Sequence, residues 1–434
     1  MRLSRHRING LRRLCLSTAE QESMHTLRLI TALLLLMPPA FLLAADYPSF
    51  QELVDAANEN DILIPPPGTY AGPVSIEKSL VIDGQGKVVI DAGGKGSVIY
   101  LDSDGVTLKG LRLTNSGNSH NDIDAGIQVR GNFNVIKDNV IDNSLFGIDL
   151  GQAENNIIRR NRISSKPVEI GMRGDAIRLW YSFNNKITDN IIRNSRDTVV
   201  WYSKDNLIAR NDARGGRYSL HFMYAQYNQV IENHYEDNQV GIFLMYSDGV
   251  EVRNNYIAHA IGPTGMGIGF KETSDVDVHD NRILYCAVGI YLDISPYDPE
   301  TTNRLTGNLI AFSGIGIQFL NDWKGNIFER NRFKGNITQI AVGGGKTANR
   351  NHWKGNYWDD YEGFDRDLDG VGDRPYELYG YADRIWMDVP YAQFFKGSPV
   401  LEVLDFLERL APFTEPDMIL RDEKPLMSAE AVQP

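Results

Sequence analysis

The sequence predicts an all-β fold, a parallel β-helix of about twelve rungs with an N-terminal cap and a helical C-terminal cap. Three observations carry that expectation. First, Asn190, Asn211 and Asn233 stand 21 and 22 residues apart, and each is followed eight residues later by a short apolar run: Thr198-Val199-Val200-Trp201, Ser219-Leu220-His221-Phe222 and Gly241-Ile242-Phe243-Leu244. Second, the frame extends both ways, with Asn at Asn139, Asn161, Asn255, Asn281, Asn308, Asn331 and Asn356. An apolar residue precedes nearly every marker by three positions, as Ile187, Ile208 and Val230 do. A fixed period of this length means stacked units. Third, each unit holds short alternating β-runs parted by Asn, Asp, Ser and Gly, with no helical period, which excludes helical solenoids. Stacked strands pair rung to rung and leave edges only at the two ends. At roughly 4.8 Å per rung, twelve rungs would stretch about 55 Å.

The elements follow in chain order. Residues 1–45 read as a signal-peptide region: Met24-His25-Thr26-Leu27-Arg28 precedes an apolar core ending at Leu43, with Ala44-Ala45 suited to cleavage before Asp46 and Met24 a candidate true start. An exported, periplasmic protein is expected. Residues 46–78 form the N-terminal cap, with a short helix from Phe50 to Asn58 and a turn at Pro67-Gly68. Residues 79–358 form the β-helix. The repeated Asn is a turn residue, since its side chain tolerates left-handed backbone and its amide can reach the Asn one rung away. Residues 359–411 hold an Asp-rich loop and a helix from Ser398 to Leu410 with Val400, Leu401, Leu404 and Leu407 on one face, expected to pack on the last rung or else to dock a partner. Residues 412–434, without periodicity, are expected to be a flexible tail.

Composition bounds the chemistry. Of 434 residues, 42% are hydrophobic and 23% charged, an ordinary balance with ample core. A net charge of −12 and no basic face exclude a nucleic-acid partner. With Cys15 in the removed segment, Cys286 has no second cysteine to pair with, and no other apolar run is long enough to span a bilayer.

Alternation along each strand predicts which side chains leave the core. The outward positions form two columns that read Val200, His221, Phe243 and Tyr202, Met223, Met245 at their centre. Val199 and Trp201 are expected inside. Two thioethers and an imidazole are soft ligands suited to Cu(I), so His221, Met223 and Met245 are copper candidates. Met266 and His259, from an inserted loop between Ala258 and Gly265, are expected to help them. Packing of that loop over the methionines is the alternative. A second constellation, Asp365, Asp367, Asp369, Val371 and Asp373 with Gly370 at the sixth position, matches a calcium-binding loop, although Tyr376 stands where Glu would complete it. It is expected to hold structural calcium.

The rung pattern Asn-x-Ile-x-x-Asn followed by Gly-Ile-x-Leu resembles the right-handed β-helix repeat of carbohydrate-binding proteins and sugar hydrolases. Three segments resemble the NosD family in particular: Gly174-Asp175-Ala176-Ile177-Arg178-Leu179-Trp180, Arg217-Tyr218-Ser219-Leu220-His221-Phe222-Met223-Tyr224, and Asn356-Tyr357-Trp358-Asp359-Asp360-Tyr361. The similarity covers roughly residues 46–415. It implies a right-handed coil and a non-enzymatic periplasmic assembly factor. Such a factor works with an ABC-type ATPase and its membrane subunit and takes copper from a membrane-anchored chaperone. It serves the copper–sulfide centre of apo nitrous oxide reductase, with copper, sulfur or both as cargo. The rival function is a polysaccharide lyase, hydrolase or epimerase. That chemistry needs two acids about 5–9.5 Å apart on a polar groove, whereas Asp149 and Asp293 lie many rungs apart.

Overall fold

The computed structural model describes residues 47–344, 347–380, 398–410 and 417–431. The expected signal segment lies outside them. From Pro48 onward the chain is one unit, a parallel β-solenoid in which each turn contributes three short strands. One complete turn is Gln229–Ile231, His234–Glu236 and Val240–Met245. The third strands stack into a twelve-stranded sheet running from Val74–Ile76 to Thr338–Val342. Side chains alternate, and Leu179, Val200, Phe222, Leu244 and Phe270 fill a single continuous core. The helix Phe50–Ala56 buries Phe50 and Val54 at the N-terminal end. The solenoid begins earlier than residue 79, because Val74–Ile76 already pairs with Ile99–Leu101 and Ile62–Leu63 with Val81–Ile82.

The marker asparagines are buried and form a ladder. Asn211 Oδ1 accepts from both the backbone N–H and the side-chain amide of Asn190 at 3.0 Å. Its own amide donates to Ile187 O at 2.9 Å and to Asn233 Oδ1 at 3.0 Å. Every polar atom of the side chain is therefore satisfied inside the coil, where an unpaired one would cost about 1–3 kcal/mol. The left-handed backbone expected at the asparagines falls one residue earlier, at Asp189 (φ 59°), Arg210 (φ 53°) and Glu232 (φ 56°). Those corner residues are exposed enough to pair across rungs, as Arg210 does with Asp189 at 2.7 Å. A second ladder runs parallel to the first through Asn134, Asn156, Asn185, Asn206 and Asn228.

Three further expectations are corrected. In the turn containing Thr198, a register shift between Asp197 and Val199 slides the strand by one residue. Val200 joins the core, while Val199 lines up with His221 and Trp201 with Met223. The helix Pro399–Leu410 exists, but Val400, Leu404, Phe406 and Leu407 are exposed rather than packed on the last rung. Finally, residues 417–431 are no flexible tail. Strand Asp417–Asp422 pairs antiparallel with Tyr376–Gly380 and buries Ile419 and Leu420, so this ribbon closes the end that the helix was expected to close.

Candidate functional site

The middle of the twelve-stranded sheet presents the sulfur-rich face. Met223 and Met245 are direct partners across Tyr218–Met223 and Val240–Met245, as are His221 and Phe243. Within this patch His221 Nε2 lies 3.2 Å from Met245 Sδ. Two ligands on metal–N and metal–S bonds of about 2.0 and 2.3 Å stand about 3.5 Å apart around a tetrahedral ion. The observed pair is within a few tenths of an ångström of that span.

The imidazole is held by aromatics. Tyr218 stacks on it with centroids 4.9 Å apart, and Trp201 meets it edge-to-face at 6.0 Å. Arg217 lies over the Tyr218 ring and pairs with Asp197. Burial among these rings pushes the His221 pKa down to about 4, with Asp197 pulling it up and Arg217 adding to the depression. The ring is therefore neutral near pH 7 and offers a lone pair. Its Nδ1 is buried without a hydrogen-bond partner.

Met266 sits one rung beyond, opposite Val240. Gly269 explains how it fits: a Cβ there would lie 2.3 Å from the Phe243 ring and 2.6 Å from Met266 Sδ. The bare Cα thus lets ring and thioether share the space beside the His221 column. His259 is not brought to this patch. It occupies a left-handed corner at the far edge of the second strand layer, 3.2 Å from Asp237 and 3.6 Å from Glu236, beside Tyr285. Met172, in the short helical turn Ile170–Met172 between the strands Arg162–Ser165 and Ile177–Trp180, is exposed.

Sequence reasoning missed two neighbours of the patch. One is Trp201, hidden by the register slip. The other is the stack that Tyr181, Tyr224 and Tyr246 form with Tyr202 just past the strand ends, with centroids 5.0, 5.2 and 4.8 Å apart along Tyr181, Tyr202, Tyr224 and Tyr246. A tyrosine directly after Trp180, Met223 and Met245 was the available signal. Cys286 is buried, its thiol pushed up to about 12 by that burial, which removes it from soft-metal chemistry.

In the Asp-rich loop, Asp365, Asp367 and Asp369 each offer an oxygen within 4.8 Å of the others. Asp365 accepts from Gly370 N–H at 2.9 Å and Asp369 from Val371 N–H at 2.8 Å, while Asp373 accepts from Arg366 N–H. Repulsion by Asp369 raises the Asp367 carboxyl above its ordinary value. The C-terminal segment docks here, with Met427 N–H donating to Gly370 O at 3.0 Å.

Residues 165–363, which contain the His221 patch, match the family described as periplasmic copper-binding protein NosD. The chain is also 30% identical over 398 residues to the probable ABC transporter binding protein NosD of Pseudomonas aeruginosa, covering 85% of this chain and 88% of that one. The chain belongs to the NosD family. A second NosD, from Stutzerimonas stutzeri, is 26% identical over 396 residues, covering 83% of this chain and 86% of the relative. Among solved structures, the A-module of the Azotobacter vinelandii mannuronan C-5 epimerase AlgE4 superposes with a TM-score of 0.53 at 17% identity, over 68% of this chain and 92% of that one. That likeness establishes the solenoid and its right-handed relatives and nothing of their chemistry. Asp149, three rungs from His221 in the same outward column, is buried and clamped between Arg130 at 2.8 Å and Arg178 at 2.9 Å. Among the described residues, no helix of this NosD chain is long and apolar enough to cross a membrane.

Proposed function

We propose that this NosD protein is a periplasmic, non-enzymatic copper carrier that binds one Cu(I) through His221, Met223 and Met245, with Met266 as an adjacent thioether. The cargo is destined for the copper–sulfide centre of apo nitrous oxide reductase, and sulfur is a second cargo that the same assembly would handle. The observation that carries the reading is the 3.2 Å approach of a neutral imidazole Nε2 to a thioether, with a second thioether on the partnered strand. Soft, uncharged ligands favour Cu(I) over harder ions. They also release it more readily than a thiolate would, which suits a carrier.

The partners proposed are an ABC-type ATPase with its membrane subunit and a membrane-anchored copper chaperone. The relatives named as ABC transporter binding proteins support the first of these. So does the exposed apolar face of Pro399–Leu410, which offers a ready docking element. We propose further that Asp365, Asp367, Asp369, Asp373 and the Val371 carbonyl hold a structural Ca²⁺ beneath the docked C-terminal segment.

Anaerobic competition against a Cu(I) chelator tests the copper reading. Wild type should take up one equivalent, and Met223→Ala/Met245→Ala should lose it while keeping a β-rich circular dichroism spectrum. Full retention of Cu(I) by that double variant would place the metal elsewhere and overturn the assignment.

A further inference from the structure

Trp201 has no role in the ligand set just described, yet it is built into it. Its strand position is the direct partner of Met223, one rung away, and its ring meets His221 edge-to-face with the planes 89° apart and centroids at 6.0 Å. Trp180, the next residue in the same column, packs edge-to-face on it at 6.0 Å and fixes it from the other side. Its indole Nε1 is buried with no hydrogen-bond partner. A tryptophan on a strand's outer face ordinarily turns its N–H to water or a carbonyl, so the ring is held here for its π-face or its bulk.

An ion bound at His221 Nε2 lies in the imidazole plane. The perpendicular packing at 6.0 Å leaves the indole beside the imidazole, so an ion held at His221 Nε2 would have the Trp201 ring for a neighbour. A tryptophan face is the best neutral partner for a cation, and the attraction grows where water is excluded. It also blocks the coordination position that a water or a harder oxygen ligand would need. Copper(II), which prefers four or more N and O donors in tetragonal array, loses that position.

We propose that Trp201 caps the copper ion: its indole face closes the site opposite the His221 and methionine ligands by a cation–π contact and makes the site selective for Cu(I) over Cu(II). The inference rests on the copper reading above and assigns a specificity-determining residue to that site. Trp201 supplies no lone pair and is not itself a ligand.

The test is an anaerobic Cu(I) titration of the full protein, followed both by chelator competition and by tryptophan emission. The emission assigned to Trp201, taken as wild type minus Trp201→Phe, should be quenched in step with one equivalent of Cu(I). Trp201→Leu should still bind one equivalent, about 2- to 30-fold more weakly, the range expected for loss of a cation–π contact. Its bound copper should also be oxidised by air faster than in wild type. A merely structural tryptophan would leave the difference emission unquenched. If Trp201→Leu fails to fold, as judged by circular dichroism, the wild-type and Trp201→Phe emission still decides. No Cu(I) uptake by wild type would overturn the site as a whole. One-equivalent uptake with an unquenched difference emission, or with equal affinity and air stability in folded Trp201→Leu, would overturn the capping role alone.

Discussion

Asp422 occupies the place where the next asparagine of the ladder would stand. Its Oδ2 accepts from the Asn356 backbone N–H at 2.9 Å and from the Asn356 side-chain amide at 2.8 Å. Those are the two bonds that Asn211 Oδ1 makes to Asn190. Oδ2 also receives Trp358 Nε1, and Oδ1 receives Gly355 N–H. One carboxyl group thus ends a ladder that would otherwise leave its last donors unpaired in the core. The chain segment carrying it folds back antiparallel, so the same residue that satisfies the ladder also prevents another strand from adding to that end.

Asp422→Ala should therefore release the last turn. Leaving these buried donors without an acceptor costs about 3 kcal/mol. In a solenoid, stability is a sum of neighbouring-turn terms, so the loss should stay local. Hydrogen exchange should speed up at Asn331 and Asn356 and stay unchanged near Asn190. Asp422→Asn, which keeps one acceptor oxygen in place, should lose less. Uniformly faster exchange along the whole coil would contradict the capping role.

The coil was legible because a buried asparagine must be repeated to be satisfied: each amide needs the next, so the period is written into the sequence from Asn139 to Asn356. The same logic would have revealed the second ladder from Asn134 to Asn228. The slip at Thr198 was not legible, because Val199, Val200 and Trp201 are all apolar and alternation cannot choose between two registers. Asp417–Asp422 was hidden for another reason. Its partner strand lies about forty residues earlier and runs antiparallel, outside any frame built on the repeat. Of the copper candidates, residues on the strands fell where the period put them, while His259 followed the corner geometry of its own turn to Asp237 and Glu236.

Calcium removal should loosen the C-terminal end. A site of the affinity usual for extracellular modules, in about 5 mM calcium, adds roughly 1–2 kcal/mol to the state that binds it. Chelator should lower the melting temperature or uncover an early transition at residues 365–431. Asp367→Ala/Asp369→Ala should melt like the chelated protein and no longer respond to chelator. An identical melting curve with and without chelator in wild type would reduce the loop to a turn.

The pH response of His221 provides the last check. Its pKa falls from 6.5 in the unfolded chain to about 4 in the fold, chiefly through burial. Between those values the unfolded chain binds a proton that the folded protein refuses. The group's contribution is therefore fully present above pH 6.5 and is lost as pH falls toward 4. It amounts to about 3 kcal/mol at 1.36 kcal/mol per unit. Asp175 acts in the opposite direction: burial raises its pKa from 3.8 to about 6, so its contribution is present below 3.8 and lost as pH rises through 6. Wild-type stability alone would blend the two, and a difference against a variant that keeps Asp175 isolates the imidazole. The stability gap between His221→Gln and wild type should shift in favour of the variant by about 3 kcal/mol as pH is lowered from 7 to 4. Cu(I) uptake by wild type should stay nearly constant from pH 7 to 5, because no proton competes for a ring already neutral there. Copper affinity falling about tenfold per unit below pH 6.5 would mean an ordinary, solvated histidine, and with it a different ligand set.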